Sequence, residues 1–244
     1  KTDEVMRASL DTSVIPQVVI DKLAARKIVR IRVVGQGTAA IAGQSLAQIL
    51  RTLVDRDVQV DALPATELSG FQLGLDMSDT LIVAISQSGT TTDTNRTVDL
   101  ARSRGASVIA IVNRRGSELA AKADGVLYTS DGRDVEMSVA STKAFYSQVA
   151  AGVLLACALS AAMGTASDEE RHQLLAALRA IPDALTKVLT LRPQIADAAH
   201  QFAPARRYWT VVGNGFNAVA AEEVRIKLSE LCYELFALWP CFNH

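Results

Sequence analysis

The feature that most restricts how this chain folds is a regular alternation of short aliphatic runs with helix-patterned stretches. The runs are IVRIRVV (28–34), VQVDAL (58–63), TLIVAIS (80–86), SVIAIVN (107–113) and GVLYTS (125–130). Most are nearly continuous in Val, Ile and Leu, as strands covered on both faces must be. Helical patterns over 39–54, 94–104 and 117–123 fall between them. The order predicts an α/β fold: a three-layer αβα sandwich around a doubly wound, mostly parallel sheet.

After Ser141 the texture changes. Residues 144–167 (AFYSQVAAGVLLACALSAAMGTAS) carry no charge over 24 positions, long enough to cross a bilayer. The stretch is built of Ala, Ser, Gly and Gln rather than Leu and Ile, which favours a helix buried between layers over a membrane span. The segment 168–202 reads as two amphipathic helices broken at Pro182. Then RRYWTVVGNG (206–215) repeats the plan of IVRIRVVGQG (28–37): a strand ending in G-x-G, followed by an Ala-rich helix. This predicts an internal duplication, with a helical lead-in over 1–24, a first unit over 25–165, a helical linker over 166–204, and the start of a second unit over 205–244. One strand and one helix cannot bury a core, so the second unit is expected to be truncated.

Composition removes several function classes. With 25 Lys and Arg against 26 Asp and Glu there is no basic excess to neutralise a nucleic-acid backbone, so no nucleic-acid partner is expected. Cys157, Cys232 and Cys241 are far apart, with neither metal-ligand spacing nor a disulfide framework. No apolar core of a signal peptide occurs in KTDEVMRASL. A cytoplasmic protein without metal, organic cofactor or membrane partner is the expectation.

Candidate chemistry lies where strands end, since parallel sheets bind ligands at their carboxyl edge. Three loops there are unusual: Gly35-Gln36-Gly37-Thr38, the run Ser86-Gln87-Ser88-Gly89-Thr90-Thr91, and Val139-Ala140-Ser141-Thr142-Lys143. Each joins small side chains to a helix N-terminus, where free N–H groups and the helix dipole suit an anion such as phosphate. Read singly, each is also an ordinary turn or N-cap, and the first is not a full G-x-G-x-x-G. Further on, Glu223, Lys227 and Glu230 fall on one helix face at i, i+4 and i+7. Two carboxylates around an ammonium suit acid–base work, and the same spacing serves surface ion pairs.

Three motifs carry a resemblance: SQSG-x-T with D-T two residues on (86–94), V-A-S-T-K-A-F (139–145) and E-x-x-x-K-L-x-E-x-x-Y (223–233). In these the chain resembles the sugar-isomerase (SIS) domain family, whose fold is flavodoxin-like, over roughly residues 25–235. Within it the likeness is greatest to the isomerase half of the glutamine–fructose-6-phosphate aminotransferases. The resemblance implies that Ser86, Gln87, Ser88 and Thr91 hold the phosphate of a sugar 6-phosphate. It implies that Thr38 meets phosphate or sugar, and that Val139 and Ser141 meet sugar hydroxyls. Glu230 would be the base of ketose–aldose isomerisation, supported by Lys227 and Glu223, in a homodimer to which the long apolar helix could lend an interface. A non-catalytic sugar-phosphate sensor, or an isomerase or deaminase for another phosphosugar, fits the same motifs. Three departures stand out. The family's G-T-S turn reads Gly37-Thr38-Ala39. His172, His200 and His244 match no ring-opening histidine, and no glutaminase cysteine precedes Cys157. The chain is therefore expected to bind substrate better than it turns it over.

Overall fold

The computed structural model describes residues 5–131, 136, 141–206 and 208–232, together with the backbone of 236–240. Five strands, β1 (Arg30–Gly35), β2 (Gln59–Pro64), β3 (Thr80–Ser86), β4 (Ser107–Val112) and β5 (Gly125–Tyr128), form one sheet in the order β2-β1-β3-β4-β5. Every neighbouring pair is parallel. The expected strands are all present, with ends moved by one or two residues.

Because side chains alternate across a strand, the aliphatic runs supply both faces at once. Ile31, Val33, Leu81, Val83, Ile85, Ile109 and Ile111 face a core roofed by α1 (Gln17–Ala24), α2 (Thr38–Leu53) and α6 (Lys143–Met163). Val34, Ile82, Ala84, Val108 and Ala110 face the other core. That side is covered by the single turn α3 (Ala65–Glu67), the π-helical turn Leu68–Gln72, α4 (Thr92–Arg102) and α5 (Glu118–Lys122). All residues of β3 and β4 are buried, which is why they read as unbroken apolar runs.

The uncharged helix is α6. It is long and apolar enough to cross a membrane, but Ala151, Leu155, Ala156 and Leu159 are buried in the sheet's core. It is a core helix, so its apolar side is not free to serve as an interface.

Two sequence expectations are corrected. Pro182 does not break a helix: α7 (Asp168–Leu189) runs through it, started by a capping box between Ser167 and Glu170. The position is exposed, so water can replace the bond that the missing N–H denies the Leu178 carbonyl, and the flanking Ala, Leu and Arg favour helix. The break falls at Thr190 and Leu191, ahead of α8 (Arg192–Phe202) with Pro193 in its first turn. The second correction concerns the C-terminal unit, which holds more than one strand and one helix. Strand β6 (Trp209–Gly213) is followed by α9 (Phe216–Cys232) and then by β7 (Phe236–Pro240), parallel to β6.

The two G-x-G turns share one geometry. A Cβ on Gly35 would lie 2.8 Å from the Ala39 carbonyl carbon, and one on Gly213 would lie 2.2 Å from the Asn217 oxygen. The second glycines, Gly37 and Gly215, have φ of 56° and 51°, in the region that favours glycine.

Replacing Pro182 by Ala restores a helical hydrogen bond at an exposed site. Offset by the greater entropy of the unfolded chain, the gain is about 1–2 kcal/mol. Thermal melting should show a midpoint raised by roughly 2–6 °C; an unchanged or lower midpoint contradicts the account.

Candidate active site

The cleft opens at the carboxyl edge between β1 and β3, where the strand order reverses. It has a volume of about 500 Å³. Its walls come from four places: the turn after β1, the turn after β3, the start and first turns of α6, and Glu230 on α9. Of the expected site residues, Thr38, Ser86, Gln87, Ser88, Thr91, Ser141 and Glu230 line it. Lys227 reaches its edge through Thr38. Val139 lies outside the described residues.

The turn after β3 ties its hydroxyls into a local hydrogen-bond network. Ser86 Oγ accepts from the Gly89 N–H at 3.0 Å and lies 3.3 Å from Thr91 Oγ1. Ser88 Oγ accepts from both the N–H and the hydroxyl of Thr90, at 3.2 and 2.9 Å. A hydroxyl that accepts twice keeps its own proton to donate elsewhere. Gly89 has φ 65°, and a Cβ there would stand 2.1 Å from Ser117 Oγ. That serine caps α5, and the Leu119 N–H donates to the Gly89 carbonyl. Asn95 on α4 ties the turn from the other side, its amide donating to the Gly89 and Thr91 carbonyls at 3.2 and 3.1 Å.

The loop before α6 departs from expectation. The anion at that helix N-terminus is the chain's own Glu136, whose carboxylate accepts from the Thr142 and Ala144 N–H groups and from Thr142 Oγ1. Burial pushes the Glu136 carboxyl up, but these hydrogen bonds and the nearby Lys143 charge outweigh it and hold the group below the usual range. A ligand phosphate therefore has the turn after β3 available, while the α6 terminus is already served. Ser141 meets the cleft with a buried hydroxyl that has no protein partner.

Helix α9 packs on α2 through Val219 and Ile226 against Ile41, Ala42 and Phe145. This brings the Lys227 ammonium to 2.6 Å from Thr38 Oγ1, 2.9 Å from Glu223 Oε1 and 3.7 Å from Glu230 Oε2. The last distance is an ion pair but too long for a hydrogen bond, and Glu230 Oε2 has no hydrogen-bond partner. Burial raises the Glu223 carboxyl above its ordinary value, and the Glu230 charge adds to this. The hydrogen bond and charge of Lys227 oppose both without cancelling them. A surface device would be exposed; here Glu223 is only 8% exposed.

Sequence reasoning passed over Asn95, Glu136 and Gln148. Gln148 is 2% exposed and lines the cleft. Its one signal was a long polar side chain inside an otherwise apolar helix.

Two consequences are measurable. Gly89→Ala forces a strained backbone against Ser117, at a cost of about 1–3 kcal/mol in stability by denaturant melts. Glu223→Gln tests the buried carboxyl. The unfolded chain releases this proton near 4.5, the folded protein at a higher pH. Between the two values the folded state holds the proton that the unfolded state has lost. The contribution of Glu223 to stability is thus greatest at low pH and declines as pH rises through that window. Urea melts of both proteins should show the stability of the natural chain falling relative to Glu223→Gln across it; a pH-independent difference refutes the shift.

Comparison with known proteins converges on one family. Residues 22–158 match the SIS domain. Over 208 residues the chain is 38% identical to glutamine–fructose-6-phosphate aminotransferase (isomerizing) of Mycobacterium tuberculosis, covering 85% of this chain and 32% of that protein. Over 209 residues it is 34% identical to the Halobacterium salinarum protein of the same name, covering 86% and 34%. The chain thus spans about a third of the length of these curated relatives. The C-terminal domain of glucosamine-fructose-6-phosphate aminotransferase from Francisella tularensis superposes with a TM-score of 0.82 at 26% identity, covering 96% of this chain and 64% of that one. Tagatose-6-phosphate ketose/aldose isomerase from Escherichia coli shares the fold, with a TM-score of 0.68 at 19% identity over 92% and 60% of the two chains.

Proposed function

The chain belongs to the SIS domain family, homologous to the isomerase half of glutamine–fructose-6-phosphate aminotransferases, and from that premise we propose that it binds a hexose 6-phosphate and moves a proton between its C1 and C2. One observation carries this reading: Lys227 bonds Thr38 at 2.6 Å, joining the Glu223–Lys227–Glu230 group to the hydroxyl-lined cleft.

In this reading the turn from Ser86 to Thr91 replaces phosphate hydration with neutral donors. Gln87 joins Ser86, Ser88 and Thr91 around the phosphate, Thr38 meets phosphate or sugar, and Val139 and Ser141 meet sugar hydroxyls. Glu230, with an oxygen left unpaired by hydrogen bonds, takes the proton from the carbon beside the carbonyl and returns it to the former carbonyl carbon, while the hydroxyl proton passes from the adjacent oxygen to the former carbonyl oxygen. The carbonyl oxygen carries the charge of the enediolate in between. The Lys227 ammonium supplies the fixed positive field that such an oxyanion needs, and Glu223 holds that ammonium in place. A sensor of sugar phosphates needs the turn but has no use for a desolvated carboxylate pair around a lysine, so the isomerase reading is preferred. The sugar is taken to be fructose 6-phosphate or glucosamine 6-phosphate.

Calorimetric titration with fructose 6-phosphate and inorganic phosphate tests binding. The sugar phosphate should bind more tightly than phosphate, and Ser88→Ala should weaken it roughly tenfold through one lost charge-assisted hydrogen bond. Glu230→Gln should keep that binding and lower ketose–aldose exchange by about 10²–10⁴. Sugar-phosphate binding no better than inorganic phosphate would sink the proposal.

A further inference from the structure

We infer that Gln148 reads a sugar hydroxyl in the cleft and separates phosphosugars from other phosphates. The inference rests on the sugar-phosphate reading above and goes beyond the motif residues. Gln148 sits two turns into α6 and is 2% exposed. Its carbonyl oxygen Oε1 is buried without a hydrogen-bond partner, yet the side chain lines the cleft. A polar group held this way in a packed interior is costly unless something pairs with it.

What pairs with it is set by its chemistry. The amide oxygen only accepts, and a phosphate dianion only accepts, so phosphate cannot satisfy that atom; the Nε2 group of the same amide donates and can meet a phosphate or a sugar oxygen. The partner must bring an O–H or N–H, and a sugar brings several hydroxyls. Ser141, just before the helix, lines the same cleft and likewise has a buried hydroxyl without a partner. The α6 wall thus offers an acceptor and a hydroxyl, while the turn after β3 offers donors. A ligand that satisfies both walls carries an anion at one end and hydroxyls at the other.

The test is titration of the chain and of Gln148→Met, which keeps length and shape but removes both polar atoms. The ligands are fructose 6-phosphate, a series of monodeoxy hexose 6-phosphates, and inorganic phosphate. Gln148→Met should bind fructose 6-phosphate roughly five- to tenfold more weakly, with affinity for inorganic phosphate unchanged. The deoxy sugar lacking the recognised hydroxyl should bind the natural chain more weakly than fructose 6-phosphate, and bind the variant no worse. Gln148→Ala, which cannot clash, is the second variant and carries the same expectations if the first fails to melt cooperatively. Unchanged fructose 6-phosphate affinity in a folded variant overturns the role of Gln148 and leaves the phosphosugar site standing. Failure of the natural chain to prefer fructose 6-phosphate over phosphate overturns the site reading itself, and this inference with it.

Discussion

A hydrogen bond of 2.6 Å from the Lys227 ammonium to Thr38 Oγ1 closes the cleft, and it spans 189 positions of sequence. Thr38 opens α2 at the end of β1, inside the first unit. Lys227 stands on α9, between β6 and β7 of the second. Apolar contact of Val219 and Ile226 with Ile41, Ala42 and Phe145 supplies the attachment, and the ammonium fixes its register. Without that register the turn after β3 would still form, since Ser117, Asn95 and Leu119 hold it from within the first unit. It would then stand without the Glu223–Lys227–Glu230 group beside it.

The charges on α9 are poorly explained as stabilising devices. Two carboxylates share one ammonium, so one negative charge is left over in a place where burial already disfavours charge. Desolvation is the main reason the Glu223 carboxyl is raised. Buried ion pairs seldom add net stability, because removing the ions from water offsets most of their attraction. A surplus carboxylate near a cleft, with an oxygen lacking any hydrogen bond, is better accounted for by the acid–base role proposed for it than by stability.

Much of this was legible in the sequence, for reasons that differ residue by residue. The strands were readable because β3 and β4 are buried on both faces, so neither alternation nor polarity confused their pattern. Ser86 to Thr91 stood out because hydroxyls without charge are rare at the end of such a strand. The grouping of Glu223, Lys227 and Glu230 followed from helical spacing, but their approach to Thr38 depends on packing between two units and has no local signature. Glu136 was invisible for the same reason: a carboxylate six residues before the N-cap Thr142 declares nothing until it meets that residue's N–H. Pro182 misled because propensity describes an average site, and an exposed turn in the middle of a long helix is more forgiving.

The absence of Lys and Arg from the Ser86–Thr91 turn has a consequence for selectivity. A cationic clamp would bind any phosphate strongly and leave little for the rest of the ligand to decide. Hydroxyl donors at a helix terminus bind more weakly and fall within range of what one or two further hydrogen bonds contribute. Discrimination then passes to the remaining walls. Among the described residues of α6, Gln148 lines the cleft; Glu136 caps the helix N-terminus, and Ser141, just before the helix, faces the cleft with no partner. On the proposed reading the turn after β3 and the unpaired polar atoms beside α6 are complementary: the less a weak anion site decides by itself, the more a wall that meets sugar hydroxyls determines which phosphate is retained.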